Sequence, residues 1–359
     1  MPISARRNHH NRHTMSSSAA TKPTVSVCIP TYNGAAHLEE ALACVTAQTF
    51  SDFEVVIVDD CSVDGTVAIA ERYVANEPRA RLIRNKVRAG SSGRNANRCL
   101  EESSGEWVKF LFQDDLMTPD CLEKMLRAGD RGPLVISHHD YVFAPETDDE
   151  VRQYYETLPT VGEVLPVDYA PADAVCAAIM RHLWVNFVGP TSASLIHRQC
   201  FATYGRFHGT NIYFPDLELW MRVGTNAGIA IARERLTSFR VHGATTSARI
   251  RHDPLREVRG SLDGIIVMRS IDQAPEYRRL REFARRCDPP FDAAAQMWDA
   301  LADVRWAAME ASYRQRDRRL IKELNAVCKR DPTFRALMSE FESRRPLWTR
   351  LKEFVKARV

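Results

Sequence analysis

The chain has 359 residues, 45% hydrophobic and 26% charged, with 49 Lys and Arg against 46 Asp and Glu for a formal net charge of +3. That length accommodates one large domain with an appendage, or two domains, and the near balance of charge leaves no case for general nucleic-acid binding. Nine cysteines (28, 44, 61, 99, 121, 176, 200, 287 and 328) are scattered without a C-x-x-C pair, the usage of free thiols in a reducing compartment and not of a disulfide framework.

Residues 1–23 are polar and basic, with His9, His10 and His13 near Arg6, Arg7 and Arg12. They lack the apolar stretch of a secretory signal, so a disordered leader and a cytoplasmic protein are expected. Val25-Ser26-Val27-Cys28-Ile29 is the first strand, closed by Pro30 and the turn-prone Asn33-Gly34. Leu38, Ala41, Leu42 and Val45 follow at helical spacing. A second strand, Phe53 to Val58, stops at Asp59-Asp60, and Asp64 is expected to cap the helix carrying Val67, Ile69, Ala70 and Tyr73. Arg81-Leu82-Ile83 is a third strand, leading through the loop Arg88 to Gly93 into a helix from Arg94 to Glu102.

Trp107, Val108, Phe110, Leu111 and Phe112 then mark a strand covered on both faces. It ends at Asp114-Asp115, after which Thr118 and Pro119 are expected to be the N-cap and first position of a helix. Leu134 to Ser137 is a further strand. This alternation with short connections predicts an α/β fold, a Rossmann-like, mostly parallel sheet flanked by helices. Such sheets bind ligands at the carboxyl ends of their strands, where both Asp pairs fall. Adjacent carboxylates repel unless a cation or hydrogen-bond donors lie between them. Mg²⁺ or Mn²⁺ shared with a phosphate answers that need; a solvated acidic turn is the plainer alternative. A dinucleotide fold would place G-x-G-x-x-G where this chain has Pro30 to Gly34, and Gly90-Ser91-Ser92-Gly93 lacks the Gly-Lys end of a phosphate loop. The apolar window Ala172 to Val188 holds Asp173, Arg181 and His182 and is too short to span a bilayer.

Taken together, Val27 to Gly34, Val58 to Thr66, Gly90 to Asn97, Ser104-Gly105-Glu106, Gln113-Asp114-Asp115, Phe214 to Arg222 and Phe239 to Gly243 resemble, in order, the motifs of family 2 glycosyltransferases of the GT-A fold. The resemblance covers residues 24–247 and implies an inverting transfer from a nucleotide diphosphate sugar to a hydroxyl of a glycan or lipid-linked acceptor, in cell-surface polysaccharide synthesis. It implies that Pro30, Thr31 and Tyr32 pack against the base and that Asp60 accepts a hydrogen bond from the pyrimidine. A carboxylate there suits the N–H of uracil, so UDP, or the similar dTDP, is expected; Asp60 as a turn cap is the alternative. Arg94 and Asn97 would approach the nucleotide or diphosphate, or Arg94 would be a surface ion-pair residue.

On the same resemblance, Asp114 faces the ribose, Asp115 holds a divalent metal (Mn²⁺ or Mg²⁺) bridging the phosphates, and His242 lies near that metal or the diphosphate, unless it is structural. Asp216 is the expected general base, with N-capping of the helix carrying Leu217, Trp220, Met221 and Val223 as a compatible second role. Glu218 reads as the structural partner of a basic residue. The chain departs from the family pattern twice. Phe112 stands where a further acid is common, which leaves protein ligation of metal to Asp115, and Pro215 stands where a second acid often precedes Asp216.

Residues 248–359 are expected to form a helical extension. In its last piece Leu347, Trp348, Leu351, Phe354 and Val355 share one face, with Arg350, Lys352, Lys356 and Arg358 on the remainder. A basic amphipathic helix with a Trp suits peripheral contact with the inner face of an anionic membrane; docking on the protein itself is the alternative. Two competing functions keep the same acids. A nucleotidyltransferase lacks its phosphate loop here, and an inactive glycosyltransferase-like scaffold has no reason to retain Asp60, Asp115 and Asp216.

Overall fold

The computed structural model describes residues 22–209, 215–243, 245, 255–314 and 318–344. Most of the leader and the basic helix expected at 346–359 lie outside the described residues. The chain runs β1 (Val25–Thr31), α1 (Leu38–Thr46), β2 (Phe53–Asp59), α2 (Thr66–Asn76), β3 (Ala80–Arg84), α3 (Ser92–Glu102), β4 (Trp107–Phe110), β5 (Leu116–Met117), α4 (Cys121–Gly129), β6 (Leu134–Phe143), α5 (Asp149–Glu156), α6 (Val161–Val164), β7 (Tyr169–Ala170), α7 (Ala172–Arg181), β8 (Ser194–His197), α8 (Arg198–Tyr204), α9 (Pro215–Ala227) and β9 (Ile229–Val241). Helices α10 (Arg256–Gln273), α11 (Arg278–Ala284), α12 (Ala293–Arg314), α13 (Arg319–Arg330) and α14 (Pro332–Arg344) complete it.

The strands form one sheet in the order β3-β2-β1-β4-β8-β6-β9-β5, with β7 also on β9. β3, β2, β1 and β4 are parallel, β8 is antiparallel to both its neighbours, and β6 and β9 are parallel to each other. Because β8 reverses twice over, β1, β2, β4, β6 and β9 all point one way. Asp60, Asp114 and His242 follow three of them and fall on one edge.

The two faces of the sheet explain the apolar runs. On β1 the side chains of Val25, Val27 and Ile29 join one buried cluster and Cys28 the other; on β2, Val55 and Ile57 oppose Val56 and Val58. Period-2 alternation puts every such residue in a core when both faces are covered. The first face is closed by Leu38, Leu42 and Val45 of α1 and Leu122 and Met125 of α4. The second is closed by α3, α7 and α9, and the same cluster runs on into Ile265 and Leu262 of α10, Tyr277, Leu301 and Phe334. The C-terminal helices thus share a core with the sheet.

Two local expectations change. Leu116-Met117 pairs with Ser238-Thr237 of β9, and the Thr118 N–H donates to the Leu236 carbonyl. Thr118 is therefore held extended, and α4 starts at Cys121 after Asp120. The predicted cap at Asp64 sits two residues before the helix, one before its N-cap Gly65; its carboxylate accepts from the Thr66 and Ala35 N–H groups. All nine cysteines are free thiols. Among the described residues no helix is long and apolar enough to cross a membrane.

Candidate active site

The first part of the site is the end of β1 and β2. Pro30 and Thr31 are buried within β1, so they shape the strand end, and Tyr32 is the residue of the expected trio whose ring reaches the surface. Gln113 clasps the Tyr32 backbone, accepting from its N–H at 2.8 Å and donating to its carbonyl at 3.1 Å. The Arg88 guanidinium lies 3.8 Å over the Tyr32 ring, a cation–π contact. Asp60 is buried and accepts from Asn85 Nδ2 at 2.9 Å, Ala89 N–H at 2.5 Å and Gly90 N–H at 3.2 Å. Gly90 has φ +79, a conformation glycine adopts without cost, and that turn brings its amide to the carboxylate. Asp60 therefore anchors loop 85–90; with four lone-pair sites on two oxygens it retains capacity for one more donor. Asn95, which the sequence did not single out, ties α3 to this edge by donating to the Thr31 and Val58 carbonyls.

The acid pair comes next. Asp115 turns inward. It is 1% exposed, accepts from Ser192 Oγ at 2.5 Å and from the Arg240 N–H at 3.2 Å, and its carboxyl is raised well above the usual carboxylate range by burial and by Asp114 beside it. Fully buried Lys109 donates to the Ser192 carbonyl and is itself lowered by burial. Asp114 turns outward. Its Oδ2 lies 3.2 Å from His242 Nε2, and the Arg240 Nε donates to its carbonyl. His37 lies against His242 with ring centroids 4.4 Å apart and the planes tilted by 54°; burial, His242 and Arg240 hold its imidazole below the ordinary pKa. The two neighbours thus differ in surroundings: the inward carboxylate meets the Ser192 hydroxyl and the Arg240 amide, and the outward one meets the histidine.

Asp216 lies in the first turn of α9, which starts at Pro215 rather than after the aspartate. Pro at the first helical position costs no hydrogen bond. The Asp216 carboxylate accepts from Asn186 Nδ2 at 3.1 Å and from the Leu217 N–H at 2.9 Å, and burial pushes it up to about 6. Asn186 also closes a turn onto Gly189, accepting from its N–H and donating to its carbonyl. Gly189 has φ +98, and a Cβ there would sit 2.5 Å from the His139 ring. Loop 186–192 so holds Asp216 at one end and, through Ser192, Asp115 at the other. Neither Asn186 nor Ser192 stands out in the sequence, since each is a lone polar residue far from its partner.

Three other residues take supporting places. Glu218 is buried and bonds Arg222 through both oxygens at 2.7 and 2.8 Å, with the Tyr277 hydroxyl donating to it at 2.9 Å. It is a structural partner of a basic residue. Asn97 exchanges two hydrogen bonds with the Phe207 backbone, and Arg94 Nε donates to the Gly209 carbonyl at 2.6 Å. Both fasten segment 205–209 to α3.

Among the described residues, no group of three or more His, Cys, Asp or Glu side chains gathers into a metal cage. A single outward carboxylate, Asp114, is what a cation held chiefly by phosphate and water asks of a protein.

The chain matches the glycosyl transferase family 2 sequence profile over residues 26–184. It is 31% identical over 234 residues to an uncharacterized protein of Mycobacterium tuberculosis, covering 64% of this chain and 70% of that one. It is 34% identical over 119 residues to the poly(ribitol-phosphate) β-N-acetylglucosaminyltransferase TarS of Staphylococcus aureus, 33% of this chain but only 20% of TarS. The structure of TarS residues 1–349 in complex with UDP-GlcNAc superposes with a TM-score of 0.57 at 18% identity, covering 78% of this chain and 80% of that one. The mannosyltransferase PcManGT of Pyrobaculum calidifontis, in complex with GDP-Man and Mn²⁺, gives 0.51 at 19% identity over 90% and 85%.

Proposed function

This chain belongs to glycosyl transferase family 2, and from that membership we propose that it moves a sugar from a UDP-linked donor to a hydroxyl of a cell-surface glycan or lipid-linked acceptor, with inversion at the anomeric carbon. Asp216 takes the proton of the acceptor hydroxyl, the freed oxygen bonds to the anomeric carbon, and the bond from that carbon to the diphosphate oxygen breaks with both electrons leaving on UDP. A carboxyl titrating at about 6 is ionised near neutrality yet basic enough to accept that proton. Asp114 and His242 would hold a divalent cation, which neutralises the diphosphate as it leaves. Asp60 and Tyr32 would receive the base. Asp115 acts from behind, by fixing Ser192 and the Arg240 backbone.

The observation that carries this reading is loop 186–192, which touches Asp216 through Asn186 and Asp115 through Ser192 and so unites the candidate base with the acid pair. The ligands in the TarS and PcManGT structures support a nucleotide-sugar donor and a metal, and the acceptor in the name of TarS supports an envelope polymer. Those two donors differ in base, so the preference for uridine rests on Asp60. Calorimetric titration of UDP, GDP, dTDP and CDP, with and without Mn²⁺, tests it. UDP is expected to bind best, more tightly with Mn²⁺, and to lose that enhancement in Asp114→Ala. Metal-enhanced binding that survives Asp114→Ala, or no nucleotide binding at all, overturns the assignment.

A further inference from the structure

The loop that follows β1 is held from two sides. Four consecutive backbone N–H groups, those of Tyr32, Asn33, Gly34 and Ala35, each donate to a side chain: Gln113 Oε1 at 2.8 Å, Ser62 Oγ at 2.9 Å, Thr66 Oγ1 at 2.8 Å and Asp64 Oδ2 at 3.1 Å. Amides so committed are not free to cradle a phosphate, so what the loop offers a ligand is side chains, Tyr32 foremost. Three of the four acceptors belong to the segment 62–66 after β2. Tyr32 alone turns the other way, to Gln113, the residue just before the acid pair. Gln113 Nε2 also donates to the Tyr32 carbonyl at 3.1 Å. One carboxamide therefore holds both backbone groups of one residue, and its orientation is fixed, because its oxygen only accepts and its nitrogen only donates. The Asp60 N–H donates to the Thr31 carbonyl at 2.9 Å, which ties Asp60 to the residue before Tyr32. Gly34 leaves room for the clasp. A Cβ there would lie 2.2 Å from Gln113 Oε1 and 2.3 Å from its Cδ, and the three atoms nearest to it all belong to that side chain. Gly34 is not among the glycines with positive φ, so Gln113, and not the backbone, stands against a larger residue.

We propose that Gln113 is a positioning residue for the donor: through Tyr32 it sets the seat of the base, framed by Tyr32 and Asp60, at a fixed place relative to Asp114. The inference rests on the nucleotide-sugar reading and deepens it. A donor that must reach a base seat and a cation on its diphosphate together binds tightly only where the two seats are spaced in advance. Gln113 precedes Asp114 in the chain and is bonded to Tyr32, so it spans them.

The test is calorimetric titration of UDP, without and with Mn²⁺, into the full chain as wild type, Gln113→Ala, Gly34→Ala and the double variant, at a temperature where circular dichroism shows each to be folded. Gln113→Ala frees Tyr32 and should weaken UDP binding about 10-fold. Gly34→Ala displaces the carboxamide and should weaken it to a similar extent. In the Gln113→Ala background the added methyl meets no carboxamide, so the double variant should stay within about 2-fold of Gln113→Ala, the two losses coinciding instead of multiplying. A clasp that only stiffened the loop would lower Tm and leave the UDP affinity of the folded protein unchanged. UDP affinity of Gln113→Ala within about 2-fold of the wild type, or losses that multiply in the double variant, overturns this inference and leaves the transfer reading standing; a wild type that binds no UDP overturns both. Should Gln113→Ala fail to fold, Gly34→Ala decides it, a loss of about 10-fold supporting the clasp and an unchanged affinity overturning it.

Discussion

Burial works against ionisation of Asp216, while the Leu217 amide and the Asn186 side chain work for it; the balance leaves the carboxyl at about 6 instead of the ordinary 3.8. Below that value it is protonated and cannot accept a proton, so kcat should rise with pH through about 6 and level off above it. Asn186 favours the charged form, and Asn186→Ala should therefore move the acid limb to higher pH. Asp216→Asn should lower kcat by about 10²–10⁴-fold with UDP affinity unchanged. An acid limb unmoved in Asn186→Ala, together with retained kcat in Asp216→Asn, would take Asp216 out of the reaction. The acid pair separates by a different readout. Asp115→Ala orphans the buried Ser192 hydroxyl and Arg240 amide, so urea denaturation should show a loss of about 2–4 kcal/mol. Asp114→Ala, with its carboxylate outward, should melt like the wild type. The sequence displayed both acids and their place after a strand, but which of two neighbours faces inward is set by Ser192 and Arg240, contributed from far along the chain, and no local pattern encodes that.

At the scale of elements, α9 carries Asp216 at its start and is pinned from behind by Glu218 and Arg222. The pair is four residues apart, a spacing that puts both side chains on one helix face, and so it was readable as a pair. Its third member was not. Tyr277 reaches Glu218 from the 3₁₀ turn Pro275–Tyr277, and Arg222 also donates to the Tyr204 and Arg206 carbonyls. Arg222→Met leaves Glu218 buried and unpaired and should cost about 3–5 kcal/mol, whereas Tyr277→Phe removes one hydrogen bond and should cost about 1–2 kcal/mol. Equilibrium unfolding of both variants checks the ranking; equal costs would mean that Tyr277, not the ion pair, secures α9. Thr118-Pro119 shows the opposite lesson. Its cap-and-proline signal is a good local helix start, and pairing of Leu116-Met117 with β9 overrode it.

Over the whole molecule, the four parallel strands of the first half were legible because each is a short apolar run ended by turn residues, and β1, β2 and β3 are neighbours in the sheet as in sequence. In the second half only the start of β6, Leu134 to Ser137, was legible. β8 inserts antiparallel between β4 and β6, and β9 carries Arg233-Glu234-Arg235 in its middle, which breaks any strand pattern. The helices past residue 255 were legible as helices, but not as part of the same core. That shared core makes a definite prediction. Ile265, Tyr277 and Leu280 are fully buried, Leu262 nearly so, and the turn at 275–277 with α11 lies against α7 and α9. Each large side chain uncovered forfeits about 1.5–3 kcal/mol, against a total stability of about 5–15 kcal/mol for a typical domain. A chain ending at Gly243 would bare the outer faces of α7 and α9, an apolar patch larger than the few hundred Å² that soluble monomers tolerate. It should elute as aggregate in size-exclusion chromatography and show no cooperative melt. A monomeric fragment melting cooperatively near the full chain's Tm would instead mean that the sheet and its first nine helices stand alone, and that α10–α14 are an attachment whose contacts add little to the fold.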